Sequence, residues 1–204
     1  DSYHGHTALM FATLKDFKRI AELLIERGAD LNVRDKVNGW PALILAVNLS
    51  NIDLAELLIQ KGADLNVQGT NGQTALMLAI ARHRTDFVPK LIEKGAHPNV
   101  RDDDGRTALI YIARLPPYKN HTQIANLLLE KGADPDVSDK DGFTALIWAV
   151  EQNNTDLATL LIEKGADVNG RDTSYWSFRR WAESKGNTAI TKLLREKGAS
   201  KRIR

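Results

Sequence analysis

The feature that most limits what this chain can fold into is a phrase repeated along it at intervals near 33 residues. A glycine followed by a Thr-Ala-Leu-like triplet stands at Gly5, Gly39, Gly72, Gly105 and Gly142, and Tyr175 fills that slot in a degenerate sixth copy. The spacings are 34, 33, 33, 37 and 33 residues. Each copy closes on a variant of "LLIEKGADVN", at Gly28, Gly62, Gly95, Gly132, Gly165 and, in weaker form, Gly198. A period of this size marks an array whose units bury their apolar faces only against one another.

Residues 141–169 show what one copy encodes. The Thr144 hydroxyl can cap a helix, and Ala145, Leu146, Trp148 and Ala149 give that helix a small apolar face. "EQNNTD" interrupts it, and Thr155 and Asp156 are placed to start a second helix. Leu157, Leu160, Leu161 and Ile162 follow at helical spacing. Gly165 is a left-handed stop, and "ADVNGRDTS" runs out as an extended finger. Alanines at 12, 46, 79, 149 and 182 let the inner helices approach closely, with Ile112 in that place in the fourth copy.

The unit resembles the ankyrin repeat. The resemblance rests on the Gly-x-Thr-x-Leu opening, the Ala seven residues after that Gly, the Leu-Leu pair and the closing Gly-Ala-Asp-x-Asn, and it covers nearly the whole chain. It implies an all-α repeat solenoid of helix-turn-helix units with extended finger loops. The expected organisation is a single domain over 1–204, with repeats at 1–34, 35–67, 68–100, 101–137 and 138–170 and a C-terminal cap at 171–204. The family's usual Thr-Pro-Leu reads Thr-Ala-Leu here, a variant bacterial in style.

Departures from the repeat carry their own information. Pro41 replaces the capping Thr of the second copy, which a first helical turn tolerates. The fourth copy holds four extra residues within "ARLPPYKNHTQ"; Pro116 and Pro117 forbid helix there, so a loop must stand out near Tyr118 and Lys119. Arg179 and Arg180 replace apolar residues of the earlier copies, as a cap with one face in water requires. No equivalent polar cap precedes Gly5.

Charge is distributed unevenly. Residues 171–204 hold ten Lys/Arg against three acids, so the net charge of +2 for the whole chain hides an acidic remainder. Such a basic end can draw nucleic acid or anionic lipid, but a solvated cap explains it first, and it carries no nucleic-acid fold signature. No apolar run approaches the roughly 18 residues of a membrane span. The absence of cysteine excludes disulfides, thiolate chemistry and Cys-based metal sites, and leaves the compartment open. The chain starts at Asp1, already inside a structural unit, as expected of a processed or a shortened chain.

No catalytic or cofactor motif is legible. There is no phosphate loop, nucleophile elbow or zinc helix. "VRDDDG" fails as a calcium loop, because Val100 and Tyr111 fall at its first and twelfth positions; Asp102 and Asp104 read as turn formers. His4 and His6 alternate on a finger but make a weak metal pair. Asp30, Asp64, Asp134 and Asp167 recur because the Gly-Ala-Asp ending recurs, and so belong to the architecture. The chain is therefore expected to have no catalytic, cofactor or metal site.

In a repeat protein the shared slots build the stack and the varied slots are free for recognition. Six residues after each glycine stand Phe11, Leu45, Leu78, Tyr111, Trp148 and Trp181, all apolar and expected in the core. One residue after it stand His6, Trp40, Gln73, Arg106, Phe143 and Trp176, a mixed column that the ankyrin resemblance places at the base of the finger on the concave side. Exposed aromatics and Arg are what interface anchors are made of; the alternative is that each ring packs on a neighbouring finger. Fingertips supply Tyr3, His4, Asn38, Asn71, Asp104 and Lys140. Inner-helix ends supply Arg82, Arg114, Leu115, Glu151 and Gln152, and the inserted loop adds Tyr118 and Lys119. These residues are the candidate partner-binding set, expected to line one curved surface.

The resemblance implies non-catalytic binding of one protein on that face by a chain monomeric on its own, with neither nucleic acid nor membrane as partner. Small bacterial ankyrin proteins similar to this one include immunity-type inhibitors. The sharper expectation is therefore a protein that restrains an enzyme or toxin of its own cell, such as a cell-wall hydrolase in the periplasm. An effector or scaffold fragment engaging a host or regulatory protein is the alternative.

Overall fold

The computed structural model describes residues 5–118, 120–170, 173–174 and 177–198. Among them are twelve helices and no strand. The chain divides into two compact units, Asp1–Asp103 and Asp104–Arg204. The first holds three helix pairs: α1 Ala8–Leu14 with α2 Lys18–Glu26, α3 Ala42–Asn48 with α4 Ile52–Gln60, and α5 Ala75–Ala81 with α6 Phe87–Glu93. The second holds α7 Ala108–Arg114 with α8 His121–Glu130, α9 Ala145–Glu151 with α10 Thr155–Glu163, and α11 Phe178–Ser184 with α12 Thr188–Glu196. This is an all-α repeat solenoid of helix pairs.

The repeated residues do the expected local work. Thr7, Thr74, Thr107 and Thr144 each accept the backbone N–H three residues on, at 3.2–3.4 Å, and Ser177 does the same at 3.3 Å. Pro41 occupies the cap of α3 with extended backbone and no side-chain bond. Gly165 takes φ 97° just past α10, a conformation costly for any residue with a Cβ. One recurrent device was not anticipated. Each short turn from inner to outer helix passes through a left-handed residue: Asp16, Ser50, His83, Asn153 and, in the last copy, Gly186.

Stacking supplies the core. The inner helices are seven residues long, and α3, α5, α7 and α9 are buried nearly all round: α3 buries Ala42 through Val47 and α5 buries Ala75 through Ile80, whereas α11 buries only Phe178 and Ala182. Such helices are apolar on every side because neighbours cover every side. The outer helices bury one stripe, Leu54 and Leu58 in α4 and Leu157 and Leu161 in α10, all without solvent contact. Ion pairs between neighbouring outer helices, Lys18 to Asp53 at 3.0 Å, Lys90 to Glu56, and Lys164 to Glu130 at 3.7 Å, lie in solvent. Pairs of that kind contribute about 0–1 kcal/mol each, so apolar contact holds the stack.

Two backbone-directed ladders set the repeat spacing. On one, Asp64 N–H donates to Asn32, His97 N–H to Asn66 and Asp167 N–H to Asp136, at 2.8–2.9 Å. The acids of the Gly-Ala-Asp ending brace this ladder: Asp30, Asp64, Asp134 and Asp167 accept the N–H two residues on at 2.8–2.9 Å. On the other, fingertips pair by backbone: Thr70 to Asn38, Asp103 to Asn71, Lys140 to Asp104 and Thr173 to Asp141.

The expected core column holds only in part. Leu45, Leu78 and Tyr111 are buried, but Phe11 is 50% exposed and Trp148 and Trp181 are half-buried. Position in the repeat fixes which way a side chain leaves the helix, not how deep the slot is. Leucine fits between adjacent inner helices; an indole is too large and projects beyond them. For Phe11 the cause is neighbours. Ile20, on the same helix pair, is 49% exposed, whereas Leu54 and Leu157 at the equivalent place are fully covered.

Candidate partner-binding site

The residues expected to recognise a partner gather most closely in the second unit. Phe143 leaves the base of the finger 138–144 and stays half-buried. Its ring meets Trp148 of α9 edge-to-face at 5.3 Å and Trp181 of α11 at 5.4 Å. Edge-to-face contacts at these distances are favoured by the ring quadrupoles. The ring thus packs on inner-helix tryptophans and not on a neighbouring finger, and keeps partial exposure.

Cations cover the two indoles. The Arg114 guanidinium, at the end of α7, lies 4.8 Å from the Trp148 ring centre. Lys185 Nζ, just past α11, lies 5.7 Å from the Trp181 ring and donates to Glu151 Oε1 at 2.6 Å. Both distances lie within the roughly 6 Å at which a cation gains from an aromatic face.

Buried Asp139 fixes the Phe143 and Trp148 part of the group. Its carboxylate accepts from Asp141 N at 3.1 Å, Phe143 N at 2.8 Å and the Trp148 indole N–H at 3.0 Å. Finger turn and tryptophan rotamer are thus set by one side chain. Asp35 holds the second finger in the same way, accepting from Val37, Asn38 and Trp40 at 2.6–3.2 Å. Neither acid was singled out in the sequence. The available signal was an Asp three or four residues before the opening glycine, at 35, 102 and 139. Trp148, Trp181 and Lys185 also belong to the cluster, although the register of the first two predicts core.

The other candidates have different settings. Trp40 is half-buried and lies on Gly69 of the next finger, so tightly that a Cβ there would come within 2.7 Å of its ring. It packs on the neighbouring finger, the alternative the sequence left open. His6 is half-buried with Phe11 edge-on at 6.2 Å. Asn38 and Asn71 are exposed and use their carbonyls in the finger ladder, as does Asp104. Gln73 is half-buried, and its carbonyl accepts from Gly69. Arg82 and Lys140 are exposed, while Leu115 and Gln152 are half-buried at helix ends. Arg106 pairs with Asp104 at 2.7 Å. Tyr118, on the inserted loop, is 58% exposed beside His121. Tyr3, His4, Lys119 and Trp176 lie outside the described residues.

This arrangement can present rigid amphipathic rings edged by charge. Among the described residues no group of three or more His, Asp or Glu is gathered as a metal ion would require.

Stacked inner and outer helices, fingers joined by backbone bonds and a preorganised patch of variable residues define a repeat-built recognition module. The family model for ankyrin repeats matches residues 9–102, 43–139, 76–172 and 118–204, and the chain belongs to that family. Among solved structures, an ankyrin repeat domain from Acinetobacter baumannii is similar, with TM-score 0.85 and 26% identity over 94% of this chain and 98% of that one. No curated protein matches the chain. Ankyrin repeats generally mediate protein–protein interaction and are typically non-catalytic.

Proposed function

We propose that this chain binds a protein partner through its finger bases and inner-helix ends, with Phe143, Trp148 and Trp181 as the anchor in the second unit. The observation that carries this reading is the aromatic trio itself. It is half-exposed, with Phe143 and Trp148 held by Asp139, and it is flanked by Arg114 and Lys185. Trp and Arg are enriched among the few residues that dominate interface energies, and a side chain already fixed in place loses little entropy on binding.

The partner, in this proposal, is an enzyme or toxin of the producing cell, and binding restrains it. A cell-wall hydrolase in the bacterial periplasm is the target that fits an immunity-type role. Support comes from the bacterial ankyrin repeat domain that this chain resembles along nearly its full length, and from the resemblance of the repeat itself to small immunity-type ankyrin proteins.

The test is a pull-down from the native lysate, wild type against a Phe143→Ala/Trp181→Ala double variant whose fold is checked by circular dichroism. A hydrolase retained by wild type, inhibited by it on titration and lost by the variant is the expected result. Capture of a regulator instead would remove the inhibitor role and leave protein binding standing. Equal capture by both proteins would move the site off the cluster.

A further inference from the structure

We infer that Arg114 is the docking point for a carboxylate of the partner, so that the bound segment is acidic with an apolar or aromatic side chain beside its acid. The inference rests on the protein-binding reading and names the chemistry of the ligand it takes.

It follows from which charges in the cluster are already committed. Asp139 is buried, and its two oxygens serve two backbone N–H groups and an indole. Glu151 Oε1 holds Lys185 at 2.6 Å. Asp104 and Arg106 hold each other at 2.7 Å. Arg114 differs: it has no ion pair among the described residues, and its contact is the Trp148 face at 4.8 Å. Its Nε is enclosed without a hydrogen-bond acceptor, while the side chain as a whole remains half-buried and reachable.

An aromatic face attracts a guanidinium but accepts none of its N–H groups in their own plane, so the end-on fork, a pair of Nη donors not enclosed as Nε is, stays unfilled. A carboxylate fits that fork with two parallel hydrogen bonds, which no other side chain offers as well. The indole fixes the guanidinium in place beforehand. Next to it the edges of Trp148 and Phe143 offer apolar surface, and the exposed Tyr118 ring follows Arg114 on the inserted loop. A partner acid therefore arrives beside a place for a ring or an aliphatic chain.

The opposite reading, a cage for a quaternary ammonium, does not fit. A cage needs open space between its rings, whereas Phe143 lies in contact with both tryptophans, at 5.3 and 5.4 Å. Cations of the chain itself already occupy positions over both indoles. A second internal arrangement is Glu151. It occupies in its copy the place Arg114 holds in the preceding one, and its Oε2 is also enclosed without a partner. Should Arg114 turn to Glu151, an external acid would gain nothing there.

The experiment is panning of the folded full chain against a random peptide library on phage, followed by affinities of synthetic peptides. Enriched peptides should share an Asp or Glu next to an apolar or aromatic residue. Changing that acid to its amide on the wild-type chain should weaken binding by about tenfold or more. Arg114→Gln should cost as much, and the two changes together little more than either. Arg114→Lys should recover only part of the loss, because it keeps the charge and loses the fork. The peptide-side change keeps the inference testable if Arg114→Gln disturbs the fold. Enriched peptides that are basic, or acidic peptides whose acid shows no coupling to Arg114, overturn the inference and leave the protein-binding reading intact. Coupling that emerges only in Glu151→Gln shows that Arg114 is occupied from within, and overturns it as well. Enrichment of no peptide counts against both readings.

Discussion

Ser50 carries a backbone angle its side chain does not favour. Its φ is 61°, and its hydroxyl is enclosed with no hydrogen-bond partner. Left-handed backbone at a residue with a Cβ costs on the order of 1–3 kcal/mol, while the freedom glycine adds to the unfolded chain takes back about 0.4–1 kcal/mol. Ser50→Gly should therefore stabilise the chain by about 1 kcal/mol in urea titration. Asn153→Gly should do less, since asparagine accommodates that conformation. The last copy already has Gly186 in this slot, with φ 70°. A neutral or destabilising Ser50→Gly would mean the hydroxyl is serving a contact that the strain argument leaves out. Such turns are not legible in sequence, because Asp16, Ser50, His83 and Asn153 share a conformation and no side-chain chemistry. Asp139 was missed for a related reason. As one more acid on a polar finger it looks ordinary until folding brings two N–H groups and an indole to it.

Helices were the most readable level. Thr144, Leu157, Leu161 and Gly165 mark cap, stripe and stop in α9 and α10 as their spacing predicts, because caps and stripes are set within a few residues of chain. Thr144→Ala should cost about 1 kcal/mol by removing the acceptor of the Ile147 N–H, measured by thermal unfolding with the fold otherwise unchanged. Thr144→Ser should restore most of it, and a loss common to both variants would point to packing of the methyl group instead. Depth was not readable at this level. Phe11, Trp148 and Trp181 share a register with buried Leu45 and Leu78, yet an indole exceeds the slot that leucine fills. The same mismatch brings Trp148 and Trp181 into the candidate site, so the sequence named their neighbours Phe143, Arg114 and Glu151 and left them out.

At the level of the array, stability is a sum of repeats and the interfaces between neighbours. Leu161 of α10 is wholly enclosed, and Leu161→Ala should cost about 2–5 kcal/mol. In hydrogen exchange the loss of protection should centre on α10 and its partner α9, and reach α8 and α12 beside them. A loss spread evenly over α7–α12 would mean that the second unit opens as one piece. The period itself was plain in the sequence, because every copy must meet the next with the same chemistry.

The two ladders have a consequence for how such a chain can change length. Asn32, Asn66 and Asp136 each receive an N–H from the following copy, and Thr70, Asp103, Lys140 and Thr173 join their fingertips to Asn38, Asn71, Asp104 and Asp141. The finger before Gly39 already holds one residue more than those before Gly72, Gly105 and Gly142, yet Asp64 still meets Asn32 and Thr70 still meets Asn38, because the extra residue is taken up in the turn that Asp35 holds. The fourth copy's extra residues fall between α7 and α8, where neither ladder runs. This molecule can therefore be padded at its turns, in a finger as well as between paired helices, because the bonds that tie copy to copy lie on either side of those turns and not across them.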